Sequence, residues 1–151
     1  MNLLDILTPD AIKVPLKSTE KHAAVDELID LLAEQELISD ANQVKKVVWE
    51  REQQRTTGIG EGLAIPHGKC KCCKDLVMAV GKPVQPIDFG AVDNKPVQLI
   101  VLLASPPDKT ADHIQALGKV SRMMADVSTR KGAYSAQSAE ELYELFEKFS
   151  S

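Results

Sequence analysis

His67 lies between Pro66 and Gly68, two residues that control the backbone on either side of it. Proline fixes its own φ angle and favours extended geometry at the preceding residue, while glycine leaves the far side of the imidazole open to a bulky partner. Neutral imidazole is abundant near pH 7 and can attack phosphorus, and the labile N–P bond lets the group leave again. The segment is therefore a candidate site for phosphoryl transfer, with an ordinary turn or core histidine as the alternative.

Arg51 and His113 could assist a phosphoryl group, because helical spacing directs both side chains inward. Arg51 lies seven residues after Val44 and continues the apolar face of a predicted helix, where a guanidinium needs an anion or several acceptors. His113 lies three residues after Thr110, at a predicted helix start whose N–H groups attract anions. An arginine that reaches solvent from a helix end, and a buried histidine with satisfied nitrogens, are the alternatives.

The three cysteines, Cys70, Cys72 and Cys73, all lie shortly after His67. Together these four residues offer one nitrogen and three sulfurs, a set that zinc or copper accepts, but adjacent cysteines in a strand would face opposite sides. Neighbouring lysines could instead lower the thiol pKa values and make the cysteines reactive. An odd, clustered set is a poor disulfide framework, so the sequence favours reduced cysteines in an exposed loop without a dedicated role.

Length and composition predict one ordinary domain, spanning residues 1–151. The formal net charge is −4 and aromatic residues make up 4% of the chain, which argues against a nucleic-acid partner. No apolar run approaches the ~20 residues that span a bilayer, and the first residues do not resemble a signal peptide. We therefore expect a cytoplasmic protein with no direct membrane insertion.

Sequence patterns predict helices at both ends of the chain and strands in the middle. The first helix has Ser18 as its predicted N-cap and carries apolar residues at 25, 28, 29 and 32, and Ser39 or Asp40 begins the second. Thr110 or Asp108 begins a third helix, and Ser138 with Glu141 forms a capping box for the last. Strands are predicted near 11–16, 76–80 and 97–103, the last apolar enough to be covered on both faces. This order implies an α/β fold, or α+β sandwich, with helices covering a central sheet.

The motifs taken together resemble one known family, the enzyme IIA domain of the phosphoenolpyruvate-dependent phosphotransferase system, fructose/mannitol type. That family includes a nitrogen-regulatory branch. The segments that carry the resemblance are Arg51-Glu52, Thr57-Gly58-Ile59-Gly60, Ala64-Ile65-Pro66-His67-Gly68, Asp93-Asn94-x-Pro96-Val97 and His113. The resemblance covers nearly the whole chain, and the stretch that ends in Pro66-His67-Gly68 is its most specific part.

The resemblance implies a mixed β-sheet flanked by helices and a role as a phosphocarrier. His67 would be the phosphorylated nucleophile, His113 would support it, and Arg51 would meet the phosphoryl oxygens. The donor would be an HPr-like phosphocarrier protein, the acceptor a IIB domain or a regulatory target protein, and no metal, nucleotide or other cofactor is required. The absence of a fused IIB or IIC segment favours the regulatory branch.

Two other functions remain open from the sequence. A non-catalytic regulatory interaction module of the same fold would bind different targets in its phosphorylated and free forms. A thiol or metal sensor would use Cys70, Cys72 and Cys73. Many relatives have an acidic or neutral loop after the histidine, whereas residues 69–74 here are three lysines and three cysteines. This difference bears on partner choice and redox sensitivity.

Overall fold

Six strands form one mixed sheet in the computed structural model, which describes residues 1–150, and five α-helices cover its two faces. The strands are β1 (Ile12–Leu16), β2 (Gly58–Gly60), β3 (Leu63–Ala64), β4 (His67–Lys69), β5 (Val77–Pro83) and β6 (Leu99–Ser105). The helices are α1 (Lys21–Glu34), α2 (Ala41–Gln54), α3 (Thr110–Ala125), α4 (Val127–Ser135) and α5 (Ala139–Ser150). Within the described residues, none of these helices has the length and apolar character needed to cross a bilayer.

Strand β6 is the centre of the sheet, with β5 antiparallel to it on one side. On the other side it pairs in parallel with two short strands in succession, β3 and then β4. Pro66 lies between these two short strands, and its carbonyl accepts a hydrogen bond from the Leu103 N–H at 3.0 Å. The sheet edge therefore continues across the proline, and His67 begins the second short strand.

The side chains of β6 alternate between two hydrophobic cores, as the period-two geometry of a strand requires. Ile100, Leu102 and Ala104 pack on the face covered by α1 and α2. Leu99, Val101 and Leu103 pack on the face covered by α3, α4 and α5. All seven residues of the strand are buried, which confirms the expectation that this run is covered on both faces. The predicted fold class, a mixed sheet flanked by helices, is confirmed.

Several helix ends differ from the sequence prediction. Helix α1 begins with Glu20 as its N-cap, because the Glu20 carboxylate accepts the N–H groups of the first turn. The predicted cap, Ser18, instead donates its hydroxyl to Glu27 at 2.7 Å. Asp40 caps α2 as expected. Helix α3 has no side-chain cap, and Thr110 donates its hydroxyl back to a preceding carbonyl.

The C-terminal part of the chain contains one helix that the sequence pattern did not predict. This helix, α4, begins at an Asp126 cap, and the sequence shows only a weak apolar face there. At the start of α5, one of the two hydrogen bonds of the predicted capping box is present. The Ser138 hydroxyl accepts the Glu141 N–H at 3.2 Å, but the Glu141 carboxylate accepts the N–H of Gln137 rather than that of Ser138.

The cysteine segment is not the exposed, reduced loop that the sequence favoured. Cys70 continues the pairing of β4, since its N–H donates to the Ser105 carbonyl at 2.9 Å, and this carries its side chain into the core beside α1 and α2. Cys70 and Cys72 form a disulfide, and Cys73 is a free, buried cysteine whose thiol pKa is raised by burial. Among the described residues, no group of three or more His, Cys, Asp or Glu side chains is placed to hold a metal ion.

Candidate active site

His67 is half-buried at the start of β4, and one hydrogen bond determines which of its ring nitrogens carries the proton. Its Nδ1 lies 2.8 Å from the carbonyl oxygen of Ile65. A carbonyl oxygen only accepts, so Nδ1 carries the proton and the neutral ring has its lone pair on Nε2. Burial lowers the His67 pKa, and the Arg51 charge adds to this, while the hydrogen bond to Ile65 opposes it. The ring is therefore neutral near pH 7, with Nε2 as its nucleophilic atom.

Gly68 has a role different from the one predicted, which was to open the space beside the imidazole. Strand alternation turns His67 toward α3 and turns Gly68 toward α2. A Cβ atom at Gly68 would lie 3.0 Å from the Val47 Cγ2 atom and 3.1 Å from the backbone nitrogen of Val48. The glycine is therefore needed for close packing of β4 against α2, the helix that carries Arg51.

His113 lies in the first turn of α3, is only 3% exposed, and faces His67. The two ring centroids are 5.2 Å apart in an edge-to-face arrangement. Burial lowers the His113 pKa to about 4, and the nearby His67 and Lys69 add to the effect. His113 is therefore a neutral imidazole next to the nucleophile, and the inward orientation predicted from helical spacing is what the structure shows.

Arg51 lies in the last turn of α2 and shares an open cleft of about 350 Å³ with His67. Its guanidinium donates one hydrogen bond, to the Arg55 carbonyl at 2.9 Å. Arg51 is only partly buried, so it reaches the cleft from the edge of the apolar face rather than from its centre. The cleft is lined by Arg51, Arg55, Thr56, Thr57, Ile59, Ile65, His67, Val92, Leu117 and Ser121. A guanidinium beside a neutral imidazole in a cleft can bind the oxygens of a phosphoryl group on that ring.

Glu52 is the buried charge of α2, and sequence reasoning gave it no role. Its carboxylate accepts the backbone N–H of Thr57 at 2.8 Å and also the Thr57 hydroxyl. The ammonium group of Lys21 lies 3.0 Å from the same carboxylate and also donates to the Phe89 carbonyl at 3.0 Å. These contacts attach one wall of the cleft to α2. The resemblance motif contained Glu52, but helical periodicity alone gave no signal for a buried carboxylate.

The structure brings all three predicted site residues together: His67 and Arg51 line one cleft, and the ring of His113 lies against that of His67. Sequence reasoning missed Arg55, a second cation of the cleft, and Ser105, whose Oγ lies 2.6 Å from Nδ1 of His113. Arg55 follows Arg51 by four residues, a spacing that in a continuous helix would put both on one side, but here Arg55 is the extended C-cap of α2. Ser105 ends an apolar strand, where nothing in the sequence pointed to His113.

The fold is thus a mixed sheet flanked by helices that places two neutral histidines and an arginine at one cleft. The chain matches the family model of the phosphoenolpyruvate-dependent sugar phosphotransferase system, EIIA 2, over residues 5–149, and it belongs to that family. It is 37% identical over 148 residues to a nitrogen regulatory protein of Klebsiella oxytoca, a match that covers 96% of this chain and 90% of the relative. These findings confirm the family resemblance drawn from the motifs.

Solved structures agree with this assignment. The crystal structure of the nitrogen regulatory protein IIA-Ntr from Neisseria meningitidis superposes with a TM-score of 0.87 at 31% identity, covering 94% of this chain and 97% of that one. The structure of a complex of enzyme IIA and phosphorylated enzyme IIB for mannitol from Escherichia coli matches with a TM-score of 0.81 at 19% identity, covering 94% of this chain and 97% of the matched chain. At that identity the second comparison supports the fold alone.

The family also includes much longer proteins. The chain is 29% identical over 145 residues to the fructose-specific EIIABC component of Bacillus subtilis. That match covers 96% of this chain but only 23% of the length of the relative. The chain therefore corresponds to one part of such a protein, and the activity of the whole EIIABC component is not transferred to it.

Proposed function

We propose that the chain is a phosphocarrier, which accepts a phosphoryl group on Nε2 of His67 and passes it on. The observation that carries this proposal is the hydrogen bond from His67 Nδ1 to the Ile65 carbonyl, because it directs the lone pair of Nε2 away from the backbone. The donor would be an HPr-like phosphocarrier protein. The acceptor would be a IIB-type domain, and a regulatory target protein that reads the phosphorylation state is the second candidate.

Phosphoryl transfer to His67 requires no proton to leave or join the His67 ring. The N–P bond of the donor phosphohistidine breaks, and the donor nitrogen keeps the electron pair. The Nε2 lone pair of His67 forms the new N–P bond while Nδ1 keeps its proton on the Ile65 carbonyl. Arg51 and the neutral His113 would stabilise the phosphoryl oxygens, and most of the rate enhancement would come from positioning.

The rim of the cleft favours a protein partner over a free sugar. Ile59 and Val92 line the cleft and are 46% and 55% exposed, so they offer an apolar surface directly beside the reacting ring. Arg51 and Arg55 add positive charge at the same opening. An apolar patch with arginines suits protein docking. The complex of mannitol IIA with phosphorylated IIB supports a IIB-type acceptor, and the mannitol IIA in it shares this fold.

A regulatory role is favoured by several relatives of similar length that are named nitrogen regulatory proteins. In this second candidate function the phosphoryl group on His67 would change which target protein binds to the cleft rim. We place either activity in the cytoplasm, in a single functional unit over residues 1–151. Family membership supports this placement.

The two functions are separated by following the phosphoryl group. The protein is incubated with phosphoenolpyruvate, enzyme I and an HPr-like carrier, and intact mass is recorded before and after a IIB domain is added. A carrier gains one acid-labile phosphoryl group and loses it to the IIB domain. A purely regulatory protein gains the group and keeps it when the IIB domain is added. A protein that gains no group from a donor shown to be active would contradict both functions.

A further inference from the structure

Ser105 links the central strand of the sheet to the second histidine of the site. It is the last residue of β6, is fully buried, and has its Oγ atom 2.6 Å from Nδ1 of His113. The other ring nitrogen of His113, Nε2, is buried and has no hydrogen-bond partner within residues 1–150. A buried polar nitrogen without a partner costs free energy, so this atom needs an explanation.

The same strand pair sets the positions of Ser105 and His67. In the parallel pairing of β4 with β6, His67 lies opposite Leu103, and Lys69 lies opposite Ser105. The Ser105 backbone is held as well, because its carbonyl accepts the N–H of Cys70 at 2.9 Å. A displacement of one backbone segment relative to the other would break this register. The strand pairing thus fixes the backbone of Ser105 relative to the backbone of His67.

The direction of the hydrogen bond between Ser105 and His113 decides which tautomer the ring adopts. If the hydroxyl accepted from Nδ1, its own proton would be left without an acceptor in the core, and the Nε2 lone pair would face the incoming phosphoryl oxygens. If the hydroxyl donates to Nδ1, the proton of the neutral ring resides on Nε2. A phosphoryl oxygen on His67 can then accept it, and every donor is satisfied.

We propose that Ser105 is a positioning residue of the phosphoryl site, whose hydroxyl donates to Nδ1 of His113 and holds Nε2–H ready for a phosphoryl oxygen on His67. The purpose of this arrangement rests on the proposed function, but the tautomer is a property of the free protein. His113 thereby acts as a neutral hydrogen-bond donor. Its Nε2–H, which has no partner in the free protein, would donate to a phosphoryl oxygen on His67.

The tautomer is measured directly by long-range ¹H–¹⁵N NMR of the histidine rings in the free wild-type protein at pH 7. The expected spectrum shows a protonated Nε2 and an unprotonated Nδ1 for His113. The opposite pattern, with the proton on Nδ1, would overturn the proposal. Because this measurement needs no donor protein, it decides the proposal even if the chain takes up no phosphate.

The kinetic test compares Ser105→Ala with Ser105→Thr, which keeps the hydroxyl. Loss of a hydrogen bond of ordinary strength from the site is expected to slow phosphorylation of His67 about tenfold in Ser105→Ala and to mix the two tautomers of His113. Ser105→Thr is expected to retain both the wild-type tautomer and a rate near that of the wild type. Equal rates in wild type and Ser105→Ala, or equal slowing in both variants, would overturn the proposal.

A matched control is Ser135→Ala, which removes a serine hydroxyl that bonds only to carbonyls of its own helix α4. This variant is expected to keep the wild-type rate and the wild-type tautomer. Circular dichroism of all variants shows whether each is folded. If Ser105→Ala does not fold, the tautomer of the wild-type protein decides the proposal.

Discussion

Replacing His67 with alanine is expected to abolish phosphorylation of the protein. Among the residues that line the cleft, His67 is the one histidine, and its Nε2 lone pair is fixed by the hydrogen bond at Nδ1. Alanine removes the nucleophile and leaves no neighbouring group to replace it, since the Nδ1 of His113 is engaged by Ser105 and its Nε2 is buried. The measurement is intact mass after incubation with phosphoenolpyruvate, enzyme I and an HPr-like carrier. No acid-labile mass increase is expected in the variant.

His22→Ala provides the matched control for loss of a histidine. His22 stacks on Trp49, with ring centroids 4.0 Å apart, and it does not line the cleft. This variant is expected to gain the same phosphoryl group as the wild type. A His67→Ala protein that still gains an acid-labile phosphate would show that another residue is the acceptor, and the proposed site would then be wrong.

Replacing Arg51 with alanine is expected to slow phosphorylation by roughly 10²–10³-fold, the loss typical of one transition-state donor. In the free protein the guanidinium donates one hydrogen bond, to the Arg55 carbonyl, so other N–H groups can meet the phosphoryl oxygens. Its planar fork can bind two oxygens at once, so Arg51→Lys is expected to recover only part of the rate. The measurement is the initial rate of phosphate incorporation under donor-limited conditions.

The control for Arg51 is Arg122→Ala. Arg122 is exposed on α3, outside the lining of the cleft, and its loss changes the net charge of the protein equally. A general electrostatic attraction of the donor would slow both variants alike. A specific role requires that Arg122→Ala transfer at the wild-type rate. If Arg51→Ala also transfers at that rate, the assignment of Arg51 to the phosphoryl oxygens is wrong.

Regular periodicity made most of the fold predictable from the sequence. The apolar run near 97–103 corresponds to β6, because a strand with both faces covered needs apolar residues at every position. Helix α1 follows its predicted stripe of Val25, Leu28, Ile29 and Leu32, all of which are buried. Helix α4 escaped prediction because its sequence, with Gly132 in its interior, has little apolar periodicity and depends on tertiary packing.

Tertiary contacts explain what the sequence could not indicate about the site. Helical spacing predicted the inward orientation of His113, which the structure shows. The residues around His67 predicted a reactive imidazole, and this stays a prediction. The role of Gly68 depends on α2 packing against β4, and the role of Glu52 depends on its contacts with Thr57 and Lys21. Local periodicity does not encode either set of contacts. Cys70 and Cys72, which form the disulfide, are two residues apart in the sequence. The burial of Cys70, in contrast, follows from the extension of β4 along the distant strand β6.

The most direct test of phosphoryl transfer through Nε2 of His67 is to locate the phosphate on the imidazole ring. Wild-type protein labelled with ¹⁵N-histidine is phosphorylated by the donor system, and NMR coupling between ³¹P and ¹⁵N identifies the nitrogen bonded to phosphorus. We predict a bond to Nε2 of His67, with the Nδ1 proton retained. A phosphate on Nδ1 of His67, or on another residue, would contradict the account, because the Ile65 carbonyl would then not set the reactive atom.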